Sequence, residues 1–360
     1  MYLVVTRSFP PEIGGMQNLM WGLTKELSKD YMIKVFADYL ENHKIFDEKV
    51  SFSIERVGGI KLLRKYRKAQ LVNEFIKKNK IEGVIADHWK SLELIKTSKK
   101  KICLIHGKEI NHKKGTNLNK RAVEVLNSVE TIIANSQYTK ELAVRCGVEE
   151  EKIIVINPGI DPVKELDKKI SKKVEILLKH KSPRLITVSR FDKRKNHEKI
   201  IMALRNLKPI YPSITYICIG YGDEELNIKK LVEELDLKEQ VIFFKNISNE
   251  LKNSLIAQSN IFVMPSIIHK KSVEGFGIAY IEAAQYGVPS IGGMDGGAAD
   301  AIEHQKTGLI CDGDNLNEIY SSINSMLENN KYLEYGKAAK ENSVKFKWNN
   351  IIEEYKKILS

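Results

Sequence analysis

Short apolar segments alternate with longer amphipathic segments along almost the whole chain. The apolar segments have no alternating polar positions, which is typical of strands buried on both faces of a parallel sheet. They predict strands at 2–6, 32–37, 83–86, 101–105, 130–134, 153–156, 184–189, 214–219, 240–244, 260–264 and 288–291. Helical periodicity between them predicts helices at 16–29, 64–79, 137–145, 196–207, 223–236 and 277–286.

This alternation restarts near the middle of the chain. A polar stretch from Val163 to Lys181 predicts a linker between two comparable halves. We therefore expect an α/β protein with two Rossmann-like, doubly wound parallel-sheet domains facing a central cleft. Ligands of such domains bind at the carboxyl ends of the strands. The amphipathic segment Trp348–Leu359 predicts a final helix.

Length and composition describe an ordinary globular protein. A chain of 360 residues suits two domains, and 42% hydrophobic with 29% charged residues is unremarkable for this class. The sequence contains no apolar run of about 18 residues, so it predicts no membrane-spanning helix. The first residues are typical of a strand and its loop rather than a signal peptide. Four widely spaced cysteines indicate reduced thiols and a cytoplasmic protein.

The net charge of +12 is concentrated in one part of the chain. Residues 51–120 contain eighteen basic and six acidic residues, and the remainder carries equal numbers of each. Such a local surplus favours an acidic partner, such as nucleic acid, anionic lipid or a phosphorylated substrate. A solvated basic face without a partner is the alternative.

Two glutamates flank a glycine turn in the second half. Glu274 precedes Gly275 and Gly277, and Glu282 follows them on the second turn of a predicted helix. The glycines leave the backbone open to a ligand, and a helix that begins there presents unpaired N–H groups suited to phosphate. Glu282 is placed to accept hydrogen bonds from vicinal ribose hydroxyls, and Glu274 to bind the hydroxyls of a second sugar. The segment therefore predicts a nucleotide-sugar site.

A basic loop follows the first predicted strand of the second half. Arg190 is suited to bind two phosphate oxygens, and Lys195 adds a point charge. Asn196 is expected to cap the helix that follows. A solvated loop is the alternative, but the carboxyl end of a strand favours a functional role.

Two more glycine segments also follow predicted strands. Gly220 and Gly222 indicate either a close approach to a nucleotide or a tight strand-to-helix turn. Gly14 and Gly15 open the first predicted helix and supply backbone N–H groups there. The sequence has no G-x-x-x-x-G-K-[ST] loop, so ATPase chemistry is unsupported.

Residues at three other positions, two of them at predicted strand ends, also resemble site residues, and they differ in interpretation. His106 follows the strand 101–105, where it is suited to bind a sugar hydroxyl or orient an acceptor, although a structural histidine is the alternative. His88 and Trp89 have the same position after 83–86, with weaker support. Asp312 and Asp314 resemble a metal-binding D-x-D pair, but their context predicts a turn that leads into a capped helix.

These segments, in this order, resemble glycosyltransferase family 4, whose members have the GT-B fold. The resemblance runs over nearly the whole chain. It rests on Phe9-Pro-Pro-Glu-Ile-Gly-Gly15, Ile105-His-Gly107, Ala134-Asn-Ser136, Asn157-Pro-Gly-Ile-Asp161, Ser189-Arg190 with Lys195, Gly220-Tyr-Gly222, Pro265-Ser266, Glu274 to Glu282, Gly292-Gly293 and Gly296-Gly297.

The resemblance implies transfer of a hexose-type sugar from a nucleotide donor with retention of configuration. It assigns catalysis to His106 beside the donor sugar, to Arg190 and Lys195 on the leaving diphosphate, and to Glu274 on the sugar hydroxyls. It assigns donor binding to Gly14, Gly15, Gly220, Gly222, Gly275, Phe276, Gly277 and Glu282. It implies no metal and no cofactor apart from a UDP-sugar or GDP-sugar as donor, because side-chain cations supply the charge.

The resemblance also implies a division of labour between the domains. Residues 1–165 are expected to form an N-terminal acceptor-binding Rossmann-like domain, and 166–340 a C-terminal nucleotide-sugar-binding one. Residues 341–360 are expected to form a C-terminal helix that crosses back to the first domain.

The segment 61–78 bears on the acceptor. Helical spacing places Leu62, Tyr66, Ala69, Val72 and Ile76 on one face, with basic residues concentrated at its start. This predicts either a core helix with a charged outer face or an interfacial helix on an anionic membrane. Since many members of the family act at the inner leaflet, we expect a lipid-linked or phosphorylated acceptor, peripheral membrane contact through 61–120, and a cytoplasmic location at the inner membrane face.

Three other functions compete with this interpretation. The same chemistry on a soluble sugar or small metabolite is the main alternative. A dehydrogenase is disfavoured because the first strand lacks a following G-x-G-x-x-G. A nucleic-acid-binding protein would explain the basic segment, but it would leave the paired glutamates without a role. We expect no nucleic-acid partner.

Overall fold

A computed structural model describes residues 1–12 and 14–360 of the chain. These residues form two compact units. Unit 1 comprises Met1–Asp161 and Phe346–Ser360, and unit 2 comprises Pro162–Lys345. Ile13, in the predicted glycine loop of the first half, lies outside the described residues.

Unit 1 is built on a seven-stranded parallel sheet, counted over its described residues. Its strands are β1 Tyr2–Val5, β2 Ile33–Asp38, β3 Ser53–Val57, β4 Gly83–Ala86, β5 Lys100–Ile105, β6 Thr131–Ala134 and β7 Ile153–Val155. Their order in the sheet is β3-β2-β1-β4-β5-β6-β7. The direction of the winding therefore reverses between the adjacent strands β1 and β4, which makes this the switch point of unit 1.

The segment of unit 1 that ends at Asp161 contains six α-helices among its described residues. They are α1 Gly15–Leu27, α2 His43–Asp47, α3 Lys61–Lys78, α4 Trp89–Leu92, α5 Asn117–Asn127 and α6 Gln137–Cys146. Strands β1 and β4 are fully buried, as continuous apolar runs in a helix-covered sheet should be.

Unit 2 repeats this plan with six parallel strands. They are β8 Arg184–Val188, β9 Thr215–Ile219, β10 Val241–Phe244, β11 Ile261–Met264, β12 Ser290–Gly293 and β13 Gly308–Cys311. Their order is β10-β9-β8-β11-β12-β13, so the switch point of unit 2 lies between β8 and β11. The predicted pair of Rossmann-like parallel sheets is thus confirmed.

The remaining helices belong to unit 2, apart from the last. They are α7 Lys168–Leu177, α8 His197–Leu207, α9 Glu225–Glu234, α10 Asn249–Ala257, α11 Ile278–Gln285, α12 Ala298–Ala301, α13 Leu316–Leu327, α14 Tyr332–Ser343 and, in unit 1, α15 Trp348–Leu359. None of the described helices combines the length and the apolarity that crossing a bilayer requires.

Helix α15 completes the core of unit 1. The Tyr2 hydroxyl donates a hydrogen bond to the Leu359 carbonyl at 2.7 Å. The Trp348 indole packs so closely on Gly22 and Gly159 that a Cβ at either glycine would lie 2.3–2.4 Å from the ring. The expected return of the last helix to the first domain is therefore confirmed, and it depends on two positions without side chains.

Two predictions about local structure are wrong. The sequence pattern missed β3, because this edge strand alternates polar and apolar residues and is only partly buried. The polar stretch 163–181 is not merely a linker, since it contains α7. The Asp167 side chain caps α7 by accepting a hydrogen bond from the Ile170 N–H, and the Val174 side chain of this helix is buried.

The four cysteines, Cys103, Cys146, Cys218 and Cys311, are free thiols and all are buried. Burial raises the pKa of the Cys218 thiol above its ordinary value and that of Cys311 to about 12. The thiols of Cys218 and Cys311 are therefore protonated and unreactive at neutral pH.

Candidate active site

The loops at the switch point of unit 2 bring three charged side chains together. The loop after β8 carries Arg194 and Lys195, and the longer loop after β11 carries Glu274. The Glu274 carboxylate accepts hydrogen bonds from Arg194 Nη1, at 2.5 Å, and from Lys195 Nζ. We call Arg194, Lys195 and Glu274 the triad.

The triad is almost completely removed from solvent. Its side chains are 9%, 11% and 12% exposed for Arg194, Lys195 and Glu274. Burial alone would raise the pKa of Glu274, but the neighbouring charges of Lys195 and Arg194 and their hydrogen bonds lower it to about 2. Burial lowers the pKa of Lys195, and the nearby Glu274 carboxylate opposes that change.

The triad consequently has a net positive charge. Burial disfavours the charged form of Arg194, but Glu274 and Asp192 more than compensate and raise its pKa. With one carboxylate and two cations, the charge is +1 when Lys195 is protonated. Asp192, 4.0 Å from Arg194, and Arg190, 3.6 Å from Asp192, add one charge of each sign, so the net charge is the same when both are counted. An excess of positive charge in a largely buried site suits an incoming anion.

Arg190 lies in the same loop but outside the triad. Its side chain is 74% exposed, and its guanidinium lies 3.6 Å from the Asp192 carboxylate. Sequence reasoning selected Arg190 and missed Arg194, which is the arginine that contacts Glu274. The position of Arg194 next to Lys195 in the sequence is the feature that could have identified it. A role for Arg190 on the diphosphate remains a prediction.

The glycine turn and the helix that follows it form as expected. Gly277 precedes α11 with a φ of 95°, and a Cβ there would lie 2.3 Å from the Tyr280 ring. Phe276 is buried, and the Glu274 carbonyl accepts a hydrogen bond from the Gly297 N–H at 2.8 Å. The turn is therefore fixed by the packing of Gly277 on Tyr280 and by the hydrogen bond between Glu274 and Gly297.

Glu282 lies on α11 and is 30% exposed. Lys252 on α10 places its ammonium 3.5 Å from both carboxylate oxygens of Glu282. This is a looser contact than those of Glu274, so most of the hydrogen-bonding capacity of the Glu282 carboxylate is available to a ligand. Lys252 was not singled out from the sequence, since only the folded chain brings α10 beside α11.

Close packing between two loops explains why positions 220 and 222 are glycines, without a ligand. A Cβ at Gly220 would lie 1.8 Å from the Ser189 carbonyl oxygen, and one at Gly222 would lie 2.4 Å from the Phe191 carbonyl oxygen. Both glycines let the loop after β9 pack on the loop that carries Lys195. Their assignment to donor binding remains a prediction.

Asn196 does not cap α8 with its side chain, so that prediction is wrong. Its backbone is left-handed, with a φ of 63°, and the side-chain amide donates to the carbonyls of Pro265, at 2.9 Å, and Gly313, at 2.7 Å. Asn196 instead ties the loop after β8 to the loops after β11 and β13. This connection holds the backbone next to Lys195.

Asp312 and Asp314 form the predicted turn. The Asp312 carboxylate accepts a hydrogen bond from the Asp314 N–H at 2.8 Å, and the Asn315 side chain caps α13. Among the described residues, no group of three or more His, Cys, Asp or Glu side chains is arranged to hold a metal ion.

In unit 1, His106 lies at the carboxyl end of β5, as predicted. Its ring bonds the Asp87 backbone carbonyl, and burial lowers its pKa to about 4, so the ring is neutral at physiological pH. Its Nε2 atom is buried and has no hydrogen-bond partner in the described part of the chain. Since the bond to Asp87 uses the other ring nitrogen, Nε2 is left to accept a hydrogen bond from a ligand hydroxyl.

The remaining residues considered in unit 1 divide into two groups. Gly15 is the first residue of α1 and Gly14 precedes it in extended backbone, so both lie at the start of the helix as predicted. Trp89 is fully buried and donates from its indole to the Glu109 carbonyl at 2.9 Å, which is a core contact. The His88 side chain accepts from the Lys90 N–H and caps α4.

Two family models match the chain in succession. The model for Glycosyltransferase Family 4 matches residues 13–164, and the model for Glycosyl transferases group 1 matches residues 168–343. The chain belongs to glycosyltransferase family 4. It is therefore a sugar-transferring enzyme.

Curated relatives match over most of their length. A GDP-mannose-dependent alpha-(1-6)-phosphatidylinositol monomannoside mannosyltransferase from Mycolicibacterium smegmatis is 24% identical, covering 90% of this chain and 88% of the relative. A GDP-mannose-dependent monoacylated alpha-(1-6)-phosphatidylinositol monomannoside mannosyltransferase from Corynebacterium glutamicum is also 24% identical, covering 91% and 88%.

Solved structures support the GT-B fold. Anabaena Alr3699/HepE, determined in complex with UDP, has a TM-score of 0.83 at 19% identity and covers 99% of both chains. A sucrose-phosphate synthase from Thermosynechococcus elongatus has a TM-score of 0.82 at 18% identity, covering 99% of this chain and 98% of that one. The predicted fold class is confirmed.

Proposed function

We propose that this glycosyltransferase moves a hexose-type sugar from a UDP- or GDP-sugar to a lipid-linked or surface-glycan acceptor at the cytoplasmic membrane face, with retention of anomeric configuration. The observation that carries the proposal is the triad of Arg194, Lys195 and Glu274. Its surplus positive charge suits a diphosphate, and its carboxylate suits sugar hydroxyls. The alternative is the same chemistry on a soluble sugar or small metabolite.

The donor is held along one stretch of unit 2 in this proposal. Glu282 binds the ribose hydroxyls, because its carboxylate is half-buried and only loosely engaged by Lys252. The backbone N–H groups of Phe276 and Gly277 at the start of α11 bind phosphate. Glu274, fixed by the triad, binds the hydroxyls of the transferred sugar.

Bond breaking is driven by charge stabilisation. The glycosyl–phosphate bond breaks through an oxocarbenium-like transition state, in which the leaving diphosphate gains negative charge. Lys195 and Arg190 stabilise that charge more than they stabilise the ground state. Side chains thereby supply the positive charge that other transferases take from a divalent ion. The acceptor attacks on the face that the diphosphate leaves, with the donor phosphate assisting its deprotonation.

A binding panel tests the donor assignment. We expect UDP or GDP to raise the thermal unfolding midpoint, and DNA and NADH to leave it unchanged. Glu282→Ala should abolish most of the nucleotide effect and most of the activity while the protein stays folded. A nucleotide effect of the same size in Glu282→Ala contradicts the ribose role.

A donor screen tests the chemistry. Hydrolysis or transfer from several nucleotide sugars identifies the base and the sugar, and NMR of the first product reports its anomeric configuration. Inversion would contradict the proposed retention. Full activity after exhaustive chelation is expected if no metal takes part, and loss of activity that added Mg²⁺ restores would contradict that part of the proposal.

The acceptor proposal rests on two observations. The two mannosyltransferases named above act, by their names, on phosphatidylinositol mannosides. In this chain, the large apolar side chains Ile60, Leu62, Leu63 and Tyr66 are 54–84% exposed at the start of the basic helix α3. Exposed apolar side chains on a basic helix suit the surface of an anionic membrane.

The cations of α3 do not contribute equally to this surface. The predicted apolar face is only half correct, because Ala69 and Val72 are buried while Leu62 and Tyr66 are exposed. Arg64 and Lys68 pair with Asp38, and Lys65 pairs with Glu93 at 2.9 Å. These three cations are therefore engaged inside unit 1.

Vesicle sedimentation tests membrane contact without disturbing those ion pairs. We expect Leu62→Ser with Leu63→Ser to weaken binding to vesicles of phosphatidylcholine with phosphatidylglycerol. Ile176→Ser with Leu177→Ser, which alters two exposed apolar side chains on α7 of unit 2, is the matched control. No binding by the unaltered protein, or equal binding by the Leu62 and Leu63 variant, rejects peripheral contact through α3.

A further inference from the structure

The switch point of unit 1 carries two cations that form no side-chain hydrogen bond or ion pair within the described part of the chain. Arg7 lies in the loop after β1, and Lys90 lies in α4 directly after β4. Strands β1 and β4 are neighbours, with Val5 paired to Ala86 in register, so the two loops leave the sheet side by side. Neither side-chain cation makes a hydrogen bond or an ion pair with any residue that the structure describes.

The acids near Arg7 and Lys90 are already engaged. The Asp87 carboxylate is buried and accepts from the Thr6 hydroxyl at 2.8 Å and from the Arg7 N–H at 2.9 Å. The Glu93 carboxylate bridges Lys65, at 2.9 Å, and Arg121, at 2.6 Å. Lys90 is left with a contact over the Trp89 ring, 5.1 Å from its centroid, and Arg121 lies over the same ring.

The cations at this switch point repel one another. Partial burial lowers the pKa of Lys90, and the charges of Arg7, Arg121 and Lys65 lower it further. Arg7 also contributes to lowering the pKa of the buried Lys68. The Glu93 carboxylate opposes the change in the pKa of Lys90 and offsets part of the repulsion on its ammonium. The folded chain retains the remaining repulsion at a cost that an anionic ligand would reduce.

A neutral donor accompanies these cations. Burial, Arg7 and Lys90 lower the pKa of His88 to about 2, so its ring is uncharged at physiological pH. Its Nδ1 accepts from the Lys90 N–H at 3.0 Å, which leaves the ring proton on Nε2. His106, whose Nε2 is a free acceptor, lies near enough to influence His88.

We propose that Arg7, Lys90 and His88 form a subsite for the phosphate group of the acceptor, with His106 Nε2 accepting from an adjacent hydroxyl. A guanidinium fork, an ammonium and an imidazole N–H match the several acceptor oxygens of a phosphate. The ligand class is a phosphate-bearing polyol, either a lipid headgroup or a soluble sugar phosphate. This inference rests on the proposed function, since it assigns the site to the acceptor while unit 2 has its own cations for the donor.

Calorimetric titration with inorganic phosphate tests the subsite. UDP and GDP are both present at saturating concentration, so that unit 2 is occupied. Arg7→Gln with Lys90→Gln should weaken phosphate binding roughly tenfold or more, because two charge-assisted contacts are removed. Lys77→Gln with Lys78→Gln removes the same charge elsewhere in unit 1 and should bind like the unaltered protein. Arg7→Lys with Lys90→Arg keeps both charges and should retain most of the binding.

Sedimentation with vesicles of phosphatidylcholine and phosphatidylglycerol separates the two sources of phosphate. Weaker binding of the Arg7 and Lys90 double variant to both probes assigns a lipid headgroup, and weaker binding to inorganic phosphate alone assigns a soluble acceptor. Absence of phosphate binding in the unaltered protein, or equal binding by the double variant and the Lys77 and Lys78 control, overturns the subsite. Binding of UDP and GDP, measured in parallel without phosphate, tests the proposed donor site by itself. A failure of the phosphate subsite is thereby distinguished from a failure of the proposed function.

Discussion

The two units share the order of six strands, to which unit 1 adds a seventh, but they differ in how the charged side chains at their switch points are paired. In unit 2, Arg194 and Lys195 are buried against Glu274, and the carboxylate is ionised far below its ordinary range. In unit 1, the side chains of Arg7 and Lys90 form no hydrogen bond or ion pair with the described residues, Lys90 contacts the Trp89 ring, and His88 is neutral.

This difference separates two ways of preparing a binding site. The triad of unit 2 is preorganised, because its carboxylate is fixed before any ligand arrives, at the expense of desolvating three charges. The cations of unit 1 stay partly hydrated and repel each other, so a ligand supplies the compensation. Loss of the Glu274 carboxylate in unit 2 should therefore lower stability strongly, and loss of the Lys90 cation in unit 1 should hardly change it.

The largest effect is expected from Glu274→Gln. Lys195 would remain buried without a carboxylate partner, and Arg194 would keep only Asp192, 4.0 Å away. This should lower the free energy of unfolding by about 3–5 kcal/mol and abolish transfer. Denaturant unfolding at neutral pH measures this loss. Glu282→Gln is the control, since its carboxylate is 30% exposed and only 3.5 Å from Lys252, and it should cost less than about 1 kcal/mol.

The same substitution has a defined pH dependence. The pKa of Glu274 is lowered from 4.5 to about 2 in the folded chain, so its stabilising contribution is complete above pH 4.5 and is lost as the pH falls towards 2. The difference in stability between the unaltered protein and Glu274→Gln should shrink over that interval. A difference that does not change with pH would contradict the pairing.

Lys195→Met should come next, and should separate chemistry from stability. Removing a cation that stabilises the leaving diphosphate should cost about 3–4 kcal/mol in the barrier, a reduction of roughly 100- to 1,000-fold in kcat. The fold should be retained because Arg194 still neutralises Glu274. Lys193→Met, exposed in the same turn, is the matched control and should keep full activity.

Arg194→Gln should have a smaller effect with a characteristic signature. We expect about a tenfold loss in kcat/KM, because the carboxylate loses one of its two charge-assisted hydrogen bonds and keeps those from Lys195 and, at 3.5 Å, Ser266. Loss of the neighbouring guanidinium should raise the pKa of Glu274 and move the acid limb of the pH–rate profile to higher pH. Arg194→Lys should restore part of the shift. An unmoved acid limb would show that Arg194 does not act through Glu274.

The smallest effect is expected from Lys90→Gln in unit 1. Because Arg7, Arg121 and Lys65 all repel Lys90, its loss should change the free energy of unfolding by less than about 0.5 kcal/mol, or increase it. Denaturant unfolding, run beside Glu274→Gln, compares the two switch points directly. A loss above about 1 kcal/mol would mean that the cation makes a stabilising contact in solution, and the contrast between the units would fail.

The sequence predicted most of the fold because buried parallel strands are continuous apolar runs. It failed where that signal is weak, as in the half-polar edge strand β3, and where a short helix such as α7 lies in a polar stretch. Spacing located Lys195 and Glu274 on loops at strand ends. It did not show that Arg194 rather than Arg190 turns inward, because that choice depends on contacts between loops far apart in sequence.

Asn196 shows the same limit in another form. As a residue before a helix it has the identity of a capping side chain, but its amide spans to Pro265 and Gly313. Local propensity predicted the position of the helix correctly and the use of the side chain incorrectly. The Asn196 side chain binds these two carbonyls instead of the helix N-terminus, and no local sequence pattern indicates such a contact.

The packing of Trp348 on Gly22 and Gly159 has a consequence for biosynthesis. A ribosome releases residues 162–345 before residues 346–360, so unit 2 is complete while unit 1 still lacks its last helix. The apolar surface of unit 1 that α15 covers therefore stays exposed during the synthesis of all of unit 2.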